Sequence, residues 1–287
     1  MLRQLLGLRV PVIQAPMYGV STPALVAEVA KHGALGSYGA GVLPPADVRK
    51  DLTEIVRLVP DKRFNFNVFV ETSMPSAVND SASNWDAYDR LLQPVRAALH
   101  LEGPTVSPEV GSGTATTSFL DEHLALAQEF RPSVVSFCFG VLDRAVIRDL
   151  QAFSLVVGTA TSVEEAQVLV DAGVDAIVAQ VGTAFVGTPE SGAPAVWKAA
   201  LGPQATSQST TVTRGLTGRP ARMFRNALVE VLQPYEELAA SSPRQRHRMR
   251  DIFQRKQAQY MALLAGQSHR MCDAHTTVEA VLRRLVE

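Results

Sequence analysis

Cysteine is scarce in this chain of 287 residues, which has only Cys138 and Cys272. That usage is typical of a reduced, cytoplasmic protein without a disulfide framework. No run reaches the roughly 18 apolar residues of a membrane span. The first residues also lack the apolar core and small-residue cleavage site of a signal peptide. The net charge of -1 argues against a nucleic-acid or polybasic membrane partner.

A further absence concerns glycine, because no G-x-G-x-x-G follows the first predicted strand. Apolar segments and helical segments alternate in units of roughly 25 to 30 residues, which predicts a parallel sheet with helical crossovers. The predicted strands are residues 10–16, 34–40, 63–70, 133–140, 154–159 and 175–180. Without the dinucleotide fingerprint, a (β/α) barrel is favoured over an open doubly wound sheet.

Unusual residues stand at the ends of these strands. They are Gln14, Asn67, Cys138, Thr159 and Gln180. A parallel barrel builds its active site from the carboxyl ends of its strands, so we expect these side chains to meet there.

Asn67 and the Gly182-Thr183 pair each have two interpretations. An asparagine in an aromatic strand needs a partner for its amide, so Asn67 contacts a ligand or a loop carbonyl. Asn65 is a weaker candidate of the same kind. Gly182-Thr183, after the last strand, forms either a phosphate-binding turn or a plain tight turn. Tyr18 and Tyr38 are weak candidates for polar contacts to a substrate.

The rest of the chain departs from this rhythm. Residues 71–117 form an excursion of the kind that covers a site as a lid. After Phe185 we expect helices at residues 189–201, 223–232, 244–265 and 276–286, with no further strand and a polar connector at 211–222. The expected domains are a barrel at residues 1–201 and a helical segment at 202–287, packed on it.

Taken together, the residues resemble the nitronate monooxygenase family, also called 2-nitropropane dioxygenase-like proteins. The matching motifs run in order through nearly the whole chain. They include Ile13-Gln-Ala-Pro-Met17, Gly36-Ser-Tyr-Gly-Ala-Gly41, Asn67-Val-Phe69, Ser136-Phe-Cys-Phe-Gly140, Ala172-Gly-Val-Asp-Ala-Ile-Val-Ala-Gln180, Gly182-Thr-Ala-Phe185 and Thr217-Gly-Arg-Pro-Ala-Arg222.

The resemblance implies an FMN-binding (β/α)8 barrel that oxidises alkyl nitronates with O₂. By it, Ala15, Pro16 and Met17 would pass the flavin ring. Asn67 and Gln180 would hydrogen-bond FMN, and Gly182 with Thr183 would hold its phosphate. Thr159 lies in another matching motif and joins the cofactor-binding set. A nitronate-like small molecule and O₂ are the expected partners, and a homodimer is compatible with the sequence.

The chain also departs from the family pattern. Two strand-helix units, something like 60 residues, are absent after Gln180. Three explanations are open. They are a natural deletion, an engineered or truncated form, and a sequence that omits a segment while its residue numbers stay continuous. The histidine that the family uses as its catalytic base is missing, and Cys138 stands where many members carry a second histidine. Cys138 is interpreted as a buried hydrophobe more readily than as a nucleophile. The catalytic residues therefore stay unknown.

Three hypotheses follow from these observations. The first is an FMN-dependent nitronate monooxygenase. The second is a flavin-binding protein with lost or altered catalysis, which the missing base suggests. The third is a related FMN-dependent enoyl reductase.

Overall fold

The computed structural model describes residues 2–41, 43–70, 82–101, 119–160, 162–177, 180–202, 209–239 and 242–287. These residues divide into two compact units. The first comprises residues 1–72, 118–193 and 275–287, and the second comprises residues 73–117 and 194–274. The expected domain boundary at residue 201 stays a prediction, and most of the expected lid at 71–117 lies outside the described residues.

Seven strands are present in the described ranges, five in the first unit and two in the second. They are β1 Gly36–Gly39, β2 Phe64–Phe69, β3 Val134–Cys138, β4 Leu155–Gly158, β5 Ala176–Ile177, β6 Thr210–Thr213 and β7 Ala221–Phe224.

Twelve α-helices accompany the strands in the same ranges. They are α1 Leu2–Leu5, α2 Pro23–Lys31, α3 Pro45–Leu58, α4 Ala82–Ala98, α5 Leu120–Phe130, α6 Arg144–Gln151, α7 Val163–Ala172, α8 Thr183–Val186, α9 Ala195–Lys198, α10 Ala227–Leu232, α11 Ser242–Gln254 and α12 Val278–Val286. Short 3₁₀ segments follow at Gln233–Leu238, Ala258–Tyr260 and Gln267–Met271. Within the described part of the chain, no helix is both long and apolar enough to cross a membrane.

The sheet of the first unit is wholly parallel, in the order β1-β2-β3-β4-β5. The predicted strand at 10–16 is replaced by two isolated parallel bridges, Ile13 with Leu35 and Gln14 with Val181. The segment before β1 therefore pairs with Leu35, which precedes β1 at one edge of the sheet, and with Val181, which lies beyond β5 at the other edge. Those bridges give backbone partners to groups that an open edge would expose.

The alternation of side chains along β2 gives the two faces of the sheet different surroundings. Phe64, Phe66 and Val68 are fully buried in an apolar core with side chains from helices α3, α5 and α6. Asn65 and Asn67 point to the opposite face, because successive strand residues alternate. The same alternation places Ser136 of β3 opposite Asn67 in the register. One face of this sheet is thus apolar, and the other carries a line of polar side chains.

Local signals in the sequence set the ends of two helices. Thr22 caps α2, since its hydroxyl accepts a hydrogen bond from the Leu25 N–H, and Pro23 occupies the first helical turn. Ser162 caps α7 by accepting from the Glu165 N–H, and the spacing of serine and glutamate is that of a capping box. Gly173 ends α7 with a φ of +93°, a conformation that suits glycine.

The expectation of no strand after Phe185 is wrong. Strands β6 and β7 form an antiparallel hairpin in the second unit, where a polar connector was expected. The run of β-branched residues in β6 favours an extended backbone. The helix expected at 189–201 is also wrong, because only α9 is helical there; Gly192 and Pro194 interrupt the pattern.

Candidate active site

The carboxyl ends of the parallel strands bring together the segment Ala15–Pro16–Met17 and Gly182. The Ala15 N–H donates to the Val181 carbonyl at 2.8 Å, and the Val181 N–H donates to the Ile13 carbonyl at 3.0 Å. A methyl group on Gly182 would lie 3.2 Å from Met17 Sδ and 3.3 Å from Ala15 Cβ. A side chain at this position would displace these neighbours by a few tenths of an ångström, which favours glycine.

Gly39, at the end of β1, closes on the same segment from the other side. A methyl group there would lie 3.4 Å from Pro16 Cβ and 3.5 Å from the Met17 nitrogen. Gly39 and Gly182 therefore lie closely against the Ala15–Met17 segment from two sides, and we call these two glycines and this segment the shelf. Such a shelf accepts a flat group lying close to the main chain.

A buried network fixes the conformation of that backbone. Gln14 is fully buried; its Oε1 accepts from the Ser37 N–H at 2.8 Å, and its Nε2 donates to Ser21 Oγ at 2.9 Å. Ser21 Oγ also accepts from the Met17 N–H at 2.9 Å. Sequence reasoning placed Gln14 at the site but missed Ser21. Its only signal in the sequence is a serine directly before the helix cap Thr22.

Asn67 lies in a second polar cluster, on the inner face of β2 and β3. Its Nδ2 donates to Ser136 Oγ at 2.9 Å, and its Oδ1 lies 3.8 Å from Cys138 Sγ. Asn67 is 2% exposed and Cys138 is partly exposed. The described partners of the Asn67 amide are thus neighbouring side chains rather than a loop carbonyl.

Asn65 lies one layer deeper and has an atom without a partner. Its Nδ2 donates to Ser37 Oγ at 3.0 Å, while its buried Oδ1 has no hydrogen-bond partner among the described residues. An orphaned buried acceptor is unfavourable unless a ligand or water satisfies it. Sequence reasoning ranked Asn65 below Asn67, yet Asn65 is the residue with the unsatisfied atom.

The remaining predicted residues lie at the same edge. Thr159 directly follows β4, and Gln180 directly precedes Val181; both are partly exposed. Thr183 begins α8, whose N-cap is Gly182. Because α8 has four residues, its dipole is small, and its N-terminus alone does not make an anion site. Phe185 of α8 is fully buried and holds this turn in an apolar cluster with Met17.

Tyr38 does not face this site. Its ring is buried on the helix-covered face, where its hydroxyl donates to Asp51 Oδ2 at 2.6 Å. Burial, and then the hydrogen bond to Asp51, raise the pKa of the Tyr38 hydroxyl far above its usual range. Tyr38 follows the strand's alternation, which points it away from Ser37 and Gly39.

No histidine follows a strand in the described parts of the chain. His123 lies on α5, and its Nε2 contacts the Leu43 carbonyl at 3.0 Å. The same described residues contain no group of three or more His, Cys, Asp or Glu side chains that could hold a metal ion.

Comparison with known proteins decides the family. The model of the nitronate monooxygenase family matches residues 1–181 and 176–287. The chain belongs to the nitronate monooxygenase family. The two matched ranges overlap at residues 176–181.

Individual relatives agree with this assignment. A nitronate monooxygenase of Paraburkholderia phytofirmans is 39% identical over 181 residues, covering 61% of this chain and 46% of that protein. The chain thus spans about half the length of that curated relative. A protein of Staphylococcus saprophyticus described as a probable nitronate monooxygenase is 26% identical over 351 residues, covering 99% of this chain and 95% of that protein. The longer alignment shows that this relative has residues without a counterpart here.

Solved structures confirm the predicted fold class. Nitroalkane oxidase from Streptomyces ansochromogenes superposes with a TM-score of 0.82 and 28% identity, covering 98% of this chain and 96% of that one. A FabK variant from Thermotoga maritima reaches a TM-score of 0.67 at 19% identity, covering 98% and 92%, which supports the fold alone. The fold is α/β of the TIM-barrel type.

Proposed function

We propose that this protein is an FMN-dependent oxidoreductase that oxidises alkyl nitronates with O₂. The observation that carries the proposal is the close approach of Gly182 to Ala15 and Met17 at the strand ends. Membership of the nitronate monooxygenase family and the superposition on a nitroalkane oxidase support it. The enoyl reductase alternative has fold similarity alone in its favour.

The residues at the strand ends fit a flavin mononucleotide. The shelf between Gly39 and Gly182 suits a flat ring, and the orphaned Asn65 Oδ1 is an acceptor for a ligand or a bridging water. When bound, FMN supplies the electron acceptor for the nitronate carbon and the reductant for O₂. The residues that would hold it are Ala15, Pro16, Met17, Asn67, Thr159, Gln180, Gly182 and Thr183.

The protein's own contribution is orientation and polarity. Gln14 and Ser21 hold the Met17 N–H in a fixed direction, so the shelf is formed before any ligand binds. Ser136 fixes the Asn67 amide, which can then hydrogen-bond a polar ligand atom with little loss of side-chain freedom. Cys138 contacts Asn67 and acts as a small neighbour rather than as a nucleophile.

Because no histidine follows a strand in the described part of the chain, the form of the substrate matters. A nitronate is already an anion, so its oxidation needs no proton removal at carbon. A neutral nitroalkane does need a base, which typically contributes about 10²–10⁴ in rate. We therefore propose nitronates as the substrates, with turnover of neutral nitroalkanes much reduced.

The test is oxygen uptake by the FMN-loaded protein with ethyl nitronate and with nitroethane. We expect turnover of the nitronate and a rate on the neutral compound lower by about 100-fold or more. Equal rates on both forms would contradict the proposal on substrates. Bound FMN without any turnover would favour the flavin-binding alternative, and NAD(P)H oxidation with an enoyl thioester would favour the reductase.

Location and partners complete the proposal. Cys138 and Cys272 are both free thiols, which suits a reduced compartment, and we propose the cytoplasm. The proposed partners are the nitronate and O₂, and we retain the homodimer as the proposed assembly.

A further inference from the structure

Three aromatic rings form a continuous apolar surface beside the candidate site; we call Tyr18, Phe69 and Phe139 the aromatic wall. Phe69 and Phe139 meet edge to face with ring centroids 4.9 Å apart. A methyl group on Gly41 would lie 2.8 Å from Tyr18 Cδ2 and 3.5 Å from Phe69 Cε2, so both rings lie against this glycine. Tyr18 is 42% exposed and Phe139 is 43% exposed.

The aromatic wall is continuous with the strand ends that carry the polar site. Phe69 ends β2 two residues after Asn67, and the alternation of the strand places both on one face. Phe69 is also paired in register with Cys138, which Phe139 follows directly. Tyr18 follows Met17, whose backbone forms the shelf. Each ring is therefore next to a residue of the candidate site.

The backbone at Phe139 is held in an unusual conformation. Its φ is +67°, in the left-handed region that bulky residues seldom occupy. Such strain persists only where the surroundings determine it, and it concentrates at ligand sites. Here its effect is to place an apolar ring at the solvent-facing end of β3, against Phe69.

We propose that the aromatic wall binds the alkyl tail of the nitronate and sets the preferred chain length. This inference rests on the proposed function, because the wall adjoins the Asn67 cluster where the polar head would bind. Aromatic faces offer large apolar area at small entropic cost, and a tail covering them removes both surfaces from water. The substrate class is thus a nitronate with an apolar chain, rather than one with a charged or polar tail.

A series of nitro compounds of increasing chain length measures how much the aromatic wall contributes to binding the tail. FMN-loaded protein is titrated calorimetrically with nitroethane, nitropropane, nitrobutane and nitrohexane, and kcat/KM is measured for the corresponding nitronates. Full burial of a methylene is worth about fourfold, and a wall on one side should give about half that free energy, or about twofold per methylene. We expect this increment in both the binding constants and the kcat/KM values.

Substitutions in the wall should flatten the series. Phe139→Ala should reduce the increment to nearly none, while Phe139→Leu, which keeps apolar bulk, should retain part of it. Leu58→Ala is the control. Leu58 is 38% exposed at the C-terminal end of α3, which leads to the start of β2 and so lies at the sheet edge opposite to the wall. It should leave the increment unchanged. FMN content and thermal unfolding show whether each variant is folded.

The outcomes separate this inference from the proposed function. A chain-length increment in binding that Phe139→Ala removes, without nitronate turnover, would support the wall and refute the activity. Turnover with the same increment in Phe139→Ala, or no increment in the unmodified protein, would refute the wall. A dimer that Phe139→Ala dissociates, with the increment unchanged, would make the wall a self-association surface and would also refute the inference.

Discussion

At the scale of single residues, the site depends on where side chains are missing as much as on where they are present. Gly182 and Gly39 allow the Ala15–Met17 segment to pack closely between them. Gly182 has a φ of -110°, which any residue can adopt, so its requirement for glycine is one of space. Gly173 is the opposite case, with a φ of +93° and open space around it. The two glycines therefore separate steric from conformational effects.

The substitution Gly182→Val should weaken FMN binding about tenfold or more, because its side chain would press on Ala15 and Met17 and overpacking costs about 1–3 kcal/mol. Flavin fluorescence during titration measures the dissociation constant. Gly173→Ala is the matched control; it should lower stability by about 1–2 kcal/mol through backbone strain and leave FMN affinity unchanged. Unaltered FMN affinity in Gly182→Val would remove this residue from the proposed site.

At the scale of elements, the turn between Gln14 and α2 is held from two directions. Ser21 joins Gln14 to the Met17 N–H inside the turn. Thr22 caps α2 and donates its hydroxyl hydrogen to the Glu190 carbonyl at 2.5 Å. A methyl group on Gly192 would meet the Gly19 carbonyl oxygen at 2.7 Å, so the two loops are in close contact. This turn is therefore rigid enough to present the Met17 backbone to a ligand.

Replacing Ser21 with alanine should loosen that turn, because two buried N–H donors would lose their acceptor at a cost of about 1–3 kcal/mol. We expect both a lower thermal midpoint and weaker FMN binding. Thr22→Ala is the comparison, since it removes the helix cap, worth about 1 kcal/mol, and the hydrogen bond to the Glu190 carbonyl, but keeps the hydrogen bond to the Met17 N–H. Equal losses of FMN affinity in both variants would show that general stability, and not the Met17 backbone, controls binding.

At the scale of the whole molecule, sequence patterns predicted the parallel sheet and the edge that carries the site. Strand alternation in β2 was read correctly, because the aromatic and asparagine residues differ so strongly in polarity. The hairpin of β6 and β7 was missed, since its strands are short and polar and become stable only by pairing with each other. The Ser21 bond to Met17 was missed because it depends on how a turn folds back, which no periodic pattern encodes.

The stability of the whole molecule should depend on the protonation of His123. Burial lowers the pKa of His123 below its ordinary value of 6.5, although the hydrogen bond to the Leu43 carbonyl and the nearby Glu122 oppose this. Below pH 6.5 the unfolded chain takes up a proton that the folded chain does not. The free energy of unfolding should therefore have its full value above pH 6.5. It should decrease as the pH falls from 6.5 to the lower pKa that His123 has in the folded chain.

Urea unfolding at a series of pH values measures this dependence. His123→Gln can keep a donor for the Leu43 carbonyl but does not titrate, so it should lose this component of the pH dependence. His275→Gln, at an exposed position, should keep the dependence of the unmodified protein. Because His123 packs beside Phe66 of β2 and contacts Leu43, between β1 and α3, its protonation would act on the same sheet that carries Asn67. An unchanged slope in His123→Gln would assign the acid sensitivity of this sheet to other groups.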